Sequence, residues 1–158
     1  MSCNTIGNEK LEVVRQKKST SCGVAVVAML AGVTHDEALE VMFGKGPYAR
    51  SMKFGTDWDD LRRGLQFFNV KHERAYYIKH WRRLTKLAIL GSGDEVDDLK
   101  GHWVIYDPKN GLIYDPCPTR GGEKPADRWK PPFNKPVYAY MAITDRPGSS
   151  KVRNGRVS

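Results

Sequence analysis

Cys22 stands at the head of CGVAVVAMLA, a ten-residue run that is apolar almost all round and stops at Gly32. Val24, Val26 and Val27 favour a strand, whereas the alanines, Met29 and Leu30 favour a helix. The length of the run and a glycine placed to cap its end decide for a buried helix. Cys22 then sits at the helix N-terminus, where the backbone dipole and free N–H groups favour the thiolate, the nucleophilic form of the side chain. Gly23 leaves room for a substrate carbonyl beside it. Gln16, six residues upstream, lies in a stretch free to fold back over the helix end. Its amide is placed to supply one oxyanion donor and the Cys22 N–H the second. Read by itself, Cys22 fits better as a small core hydrophobe, the usual fate of a free cysteine.

His102 and Asp115 weigh against that plainer reading. Pro108-Lys109-Asn110-Gly111 is a hairpin signal between the runs His102–Tyr106 and Leu112–Asp115. With a four-residue loop, Asp107 pairs with Leu112 and Asp115 falls opposite Val104. His102 and Asp115 then project from one sheet face as diagonal neighbours, roughly 7–8 Å apart at the backbone. A carboxylate there holds the imidazole in one tautomer while the other ring nitrogen takes the thiol proton. A one-residue bulge reverses this register. The structural readings are a satisfied core histidine and a turn-capping aspartate ahead of Pro116.

These residues need particular elements to bring them together. Residues 1–20 read as an extended lead-in. A second helix opens with the capping box Thr34–Glu37 and continues through Ala38, Leu39, Val41, Met42 and Phe43. Residues 44–55 read as a loop. Thr56 is the expected cap of a third helix bearing Trp58, Leu61, Leu65 and Phe68, with Asp57, Asp59 and Asp60 complementing the dipole of its first turn. Beyond Val70 the period changes. Strands are expected at Val70–Ile78, Leu87–Leu90, His102–Tyr106, Leu112–Asp115 and Val137–Ile143. A Gly/Ser-rich and acidic loop spans Gly91–Lys100, and an irregular stretch with six prolines spans Pro116–Pro136. Helices first and an antiparallel sheet after them define an α+β domain, expected over residues 1–145.

Composition narrows the function classes. The 158 residues, 40% hydrophobic and 28% charged, suit one globular domain and exclude wholesale disorder. The longest apolar run, Val24–Ala31, is far below the ~20 residues of a membrane span. The first ten residues lack a signal-peptide layout, so a cytoplasmic protein without membrane association is expected. Cys3, Cys22 and Cys117 form no CxxC pair, and His35, His72 and His80 are scattered, so neither a metal nor another cofactor is implied. The net charge is +8. Residues 120–158 hold nine Lys/Arg against three acids, hence +6 of that total. Residues 146–158 read as a flexible basic tail, a candidate contact for nucleic acid or an acidic protein. Trp81-Arg82-Arg83 offers a weaker contact of the same kind.

Taken together, Gln16-x5-Cys22-Gly23, the apolar helix ending MLAG, Gly101-His102-Trp103-Val104-Ile105 and Ile113-Tyr114-Asp115-Pro116 resemble the papain-like cysteine peptidases. The nearest group is the bacteriocin-processing (double-glycine leader) peptidase domains and their stand-alone relatives. The resemblance covers roughly residues 10–143. It implies a helical half carrying the cysteine, packed on an antiparallel sheet carrying the histidine and aspartate. It further implies Cys22 as nucleophile, His102 as general base and acid, Asp115 as its orienter and Gln16 as the oxyanion residue. Many relatives carry an aspartate where this chain has Ser21, and no transporter segment follows here, so leader cleavage is not carried over.

The expected function is a thiol hydrolase acting on a peptide, isopeptide or related amide bond of a peptide or protein substrate. The substrate is expected in a groove between the two halves, bordered by Trp103 and the Pro-rich stretch. One alternative is an acyltransferase using the same thioester intermediate. The other is a catalytically silent papain-like binding protein with a basic surface.

Overall fold

The computed structural model describes residues 10–52, 55–93, 101–132 and 135–147. Cys3, most of the acidic loop before Lys100, and the basic tail from residue 148 onward lie outside the described residues.

Helix α1 spans Cys22–Ala31, and every residue from Cys22 to Leu30 is buried, which is why the run shows no polar face. Gly32 ends it in the left-handed region at φ 72°, its N–H bonded to the Ala28 carbonyl. Such a terminus favours glycine because a Cβ is strained there. Helix α2 (His35–Phe43) begins with the expected reciprocal box between Thr34 and Glu37. The expected loop over 44–55 contains a further one-turn helix, α3 (Pro47–Ser51), with its proline at a first-turn position where no N–H is needed.

Helix α4 (Trp58–Phe67) is capped by Asp57, not Thr56. The deciding feature is the acid three residues on. Asp57 Oδ1 accepts from the Asp60 N–H at 2.8 Å, and Asp60 Oδ2 accepts from the Asp57 N–H at 3.0 Å. Thr56 is thereby freed to point elsewhere, which matters below.

Six strands form one antiparallel sheet in the order β1-β6-β2-β3-β4-β5. They are β1 (Lys71–Tyr77), β2 (Ala88–Ser92), β3 (His102–Asp107), β4 (Leu112–Asp115), β5 (Gly122–Pro125) and β6 (Val137–Asp145). Two spans differ from expectation, and the strand order adds a feature that no expectation addressed. Gly91 and Ser92 belong to β2 rather than to a loop. The Pro-rich stretch contains β5, which pairs with β4 on the outer edge. The last strand, β6, inserts between β1 and β2.

The β3–β4 register is as expected, with Asp107 opposite Leu112. Asn110 seals the turn on the Asp107 carboxylate, and Gly111 has φ 65°. The sheet is covered on both faces, so β2 and β3 are buried throughout. One face carries Ile89, Trp103, Ile105, Tyr114, Met141 and Ile143 against the helices. The other carries Leu90, Val104, Tyr106 and Ile113 against Trp81, Ala126 and Trp129. Trp81, offered above as a nucleic-acid contact, is 5% exposed, and the Arg82 guanidinium stacks 4.3 Å from its ring centroid. Each fully buried Leu, Ile or Val contributes about 1.5–3 kcal/mol.

Candidate active site

The site lies where the N-terminus of α1 meets the ends of β3 and β4. Ser21 is the N-cap residue of α1, yet its hydroxyl does not cap the helix. The Ser21 Oγ is spent on the preceding turn: it accepts from the N–H groups of Lys17 (3.1 Å) and Lys18 (3.0 Å) and lies 3.1 Å from His35 Nε2. The first-turn N–H groups of α1 are therefore left without a side-chain cap, and their positive end faces the site. His35 is buried, and burial together with the nearby Lys17 charge lowers its pKa, so it stays neutral.

His102 Nε2 lies 2.6 Å from Asp115 Oδ1. That bond follows from the hairpin register, which sets the two residues diagonally on adjacent strands. Asp115 is fully buried and held from three further directions. The Cys117 N–H donates to Oδ1 at 3.0 Å, the Trp129 Nε1–H to Oδ2 at 3.4 Å, and an Arg120 guanidinium nitrogen lies 3.8 Å from Oδ2. Burial by itself raises the pKa of Asp115, but the His102 hydrogen bond and charge, with the hydrogen bonds from the Cys117 N–H and Trp129, outweigh it and lower it below the ordinary carboxyl value.

His102 is shifted the other way. Its burial opposes the charged form, and the hydrogen bonds and charges of Asp115 and Cys22 overcome that, raising its pKa to about 9. Cys22, at the head of α1, thus acts electrostatically on the imidazole. With Nε2 committed to Asp115, Nδ1 is the nitrogen left for the thiol. Cys22 is 5% exposed and His102 6%, so the pair is shielded from bulk water and its charges are weakly screened.

Gln16 is beside this group, anchored by its own N–H on the Pro116 carbonyl at 2.8 Å. Its side-chain amide, however, donates to the carbonyls of Lys18 (2.9 Å) and Ser19 (3.1 Å), while its oxygen is buried without a hydrogen-bond partner among the described residues. The space expected over Gly23 is also taken: a Cβ on Gly23 falls 1.8 Å from Thr56 Oγ1. Gly23 accommodates Thr56 and not open solvent.

An aromatic groove of about 450 Å³ borders the site, lined by Trp58, Tyr76, Tyr77, Trp103 and Tyr138 with Asp57. Trp58 and Trp103 meet edge to face at 4.5 Å, and the Trp103 Nε1–H is bound to the Thr56 carbonyl at 3.2 Å. Trp103 borders this groove. Among the described residues the Pro-rich stretch does not line it; Trp129 instead packs behind Asp115. Among the described residues no group of His, Cys, Asp or Glu is placed to hold a metal ion, and no single helix is long and apolar enough to cross a membrane.

Neither a protein-family model nor a curated protein sequence matches the chain. Among solved structures, the crystal structure of a double glycine motif protease from an AMS/PCAT transporter, in complex with the leader peptide, superposes with a TM-score of 0.59. The match covers 85% of this chain and 91% of that one at 15% identity. The chain has the fold of that protease. The α+β class, expected from helices first and an antiparallel sheet after them, and the packing of the helical half on that sheet, implied by the resemblance, are those of the structure.

No pattern in the sequence marks Thr56, Ser92 or Trp129 as neighbours of the site. Trp129 lies in a Pro-rich stretch with no periodicity to place it. Thr56 carried a local signal for a helix cap that the Asp57–Asp60 pair outcompetes.

Proposed function

We propose that the protein is a cysteine peptidase-like hydrolase that cleaves a peptide, isopeptide or related amide bond through Cys22, His102 and Asp115. The observation carrying this reading is the 2.6 Å His102–Asp115 bond at a buried imidazole that also interacts with a cysteine on an uncapped helix N-terminus. A buried His–Asp pair beside a core thiol serves no packing purpose that an apolar pair would not serve at lower desolvation cost.

In this reading Cys22 Sγ attacks the scissile carbonyl. His102, holding the thiol proton, delivers it to the departing amine, and a thioester forms. Water then adds to the thioester with His102 as base, and the carboxylic acid product leaves Cys22 as the thiol. Asp115 fixes the ring so that Nδ1 faces the sulfur. The Cys22 N–H is the first oxyanion donor. Gln16 is the second, one of its amide hydrogens leaving the Lys18 or Ser19 carbonyl as charge develops; such bonds often tighten only in the transition state.

A polypeptide is the substrate class. The neighbouring structure holds a leader peptide, and the groove reaching Trp103 here is walled by aromatic rings, with Tyr76 48% and Tyr77 77% exposed at its far end. The test is a peptide-library digest read by mass spectrometry with wild type and Cys22→Ala. New termini generated by wild type and absent with Cys22→Ala, at unchanged thermal stability, are expected. Equal cleavage by both proteins overturns the reading.

A further inference from the structure

Two hydroxyls beside the catalytic histidine have no structural use for their hydrogen-bonding capacity. Thr56 Oγ1 and Ser92 Oγ are buried, 2% and 1% exposed as residues, and neither has a hydrogen-bond partner among the described residues. A buried unsatisfied hydroxyl costs about 1–3 kcal/mol, so two at one place call for an explanation. Both line the same small cavity, with Gly91, Gly101, His102, Trp103 and Tyr138, and its volume is about 10 Å³. That is room for a single water-sized group.

The cavity is built and held in place. Ser92 is the cross-strand partner of His102, which sets the two side chains together at the ends of β2 and β3. Thr56 lies directly over Gly23, the residue after the nucleophile, and its own carbonyl is pinned by Trp103 Nε1–H. Gly91 is required for the wall: a Cβ there approaches Trp103 to 2.9 Å and Trp58 to 3.3 Å.

We propose that Thr56 and Ser92 are substrate-binding residues whose hydroxyls grip one main-chain carbonyl oxygen of the substrate, next to the scissile bond. The inference rests on the hydrolase reading of Cys22. The cavity size excludes a side chain, its position against His102, with Thr56 over the residue that follows Cys22, restricts the occupant to the neighbourhood of the scissile bond, and two hydroxyl donors suit a carbonyl oxygen. Main-chain recognition of this kind orients the acyl group against Cys22 whatever side chains flank it.

The experiment compares two alkylating probes of Cys22 by intact mass: iodoacetamide, which has almost no peptide character, and acetyl-diglycyl chloromethyl ketone, whose glycines keep side chains out of the comparison. The readout is the ratio of the two rates in wild type, Thr56→Val, Thr56→Ser and Ser92→Ala. Thr56→Val keeps the shape and removes the hydroxyl; Thr56→Ser keeps the hydroxyl. The expected result is a ratio lowered roughly three- to tenfold in Thr56→Val and in Ser92→Ala, the loss of one hydrogen bond, and retained in Thr56→Ser. The Tm of Thr56→Val should match or exceed that of wild type, because an unsatisfied hydroxyl has been removed. A ratio preserved in Thr56→Val, or lost equally in Thr56→Ser, overturns the proposal. A preserved ratio with a lowered Tm identifies a permanently bound structural water instead. Failure of wild-type Cys22 to react with iodoacetamide faster than free cysteine overturns the hydrolase reading itself, a result distinct from the other two.

Discussion

His102 is the residue on which the site turns, because two opposed influences meet in it. Burial disfavours its charge, while Asp115 and Cys22 favour it, and the second group prevails. Asp115→Asn removes the charge that steadies the imidazolium and admits the wrong ring tautomer, so kcat/KM should fall on the order of a thousandfold or more, with little change in KM. Steady-state kinetics on any peptide found in the digest measures this, and a loss below tenfold contradicts the orienting role of Asp115. Trp129→Phe deletes one donor to Asp115 Oδ2 while keeping most of the ring packing on Trp81, whose centroid is 5.6 Å away. A loss of roughly three- to tenfold in kcat is expected there, and the triple contact around Asp115 was not legible in the sequence because Trp129 reaches it from a stretch with no periodic pattern.

At the scale of elements, most of what the sequence announced locally is what the structure has, although Asp57 replaces Thr56 as the cap of α4 and Gly91 and Ser92 extend β2. The α1 boundaries, the Thr34–Glu37 box and the β3–β4 register each depend on residues within a few positions of one another, so composition and spacing specify them. What crosses between elements was hidden. The contact of Thr56 with Gly23 joins the segment before α4 to the start of α1, across thirty-three positions of sequence. Gly23→Ala forces its new methyl into the Thr56 hydroxyl, and a destabilisation of about 1–3 kcal/mol is expected from that overpacking. Thermal unfolding of Gly23→Ala, Thr56→Ala and the double variant provides the check: the double variant should recover part of the loss, because the two sites share one contact. Strict additivity contradicts the placement of Thr56. Asp57→Ala should cost about 1 kcal/mol, whereas no capping loss is expected at Thr56.

Across the whole molecule, the insertion of β6 between β1 and β2 makes the last strand in sequence order an interior strand, a fact of topology that strand propensity does not carry. Helices cover one face of the sheet and Trp81, Ala126 and Trp129 the other, and His102 and Asp115 are buried deeply enough to couple the site to global stability. The folded protein holds a proton on His102 up to about pH 9, whereas an unfolded histidine releases it near ~6.5. The resulting stabilisation is fully present below ~6.5 and is lost as pH rises through about 9. Wild-type Tm should therefore decline across that window, and the decline should be smaller in His102→Ala. Equal slopes for the two proteins contradict the raised His102 pKa.

The most direct test of the central claim, that Cys22 and His102 work as a nucleophile and its base, is the rate of Cys22 alkylation by iodoacetamide from pH 4 to 9, in wild type and His102→Ala. Rapid modification of wild-type Cys22 is expected already near pH 6, at least tenfold faster than in His102→Ala, whose cysteine should react only as the pH nears the ordinary thiol range of about 8.5. Superimposable profiles for the two proteins would contradict that claim.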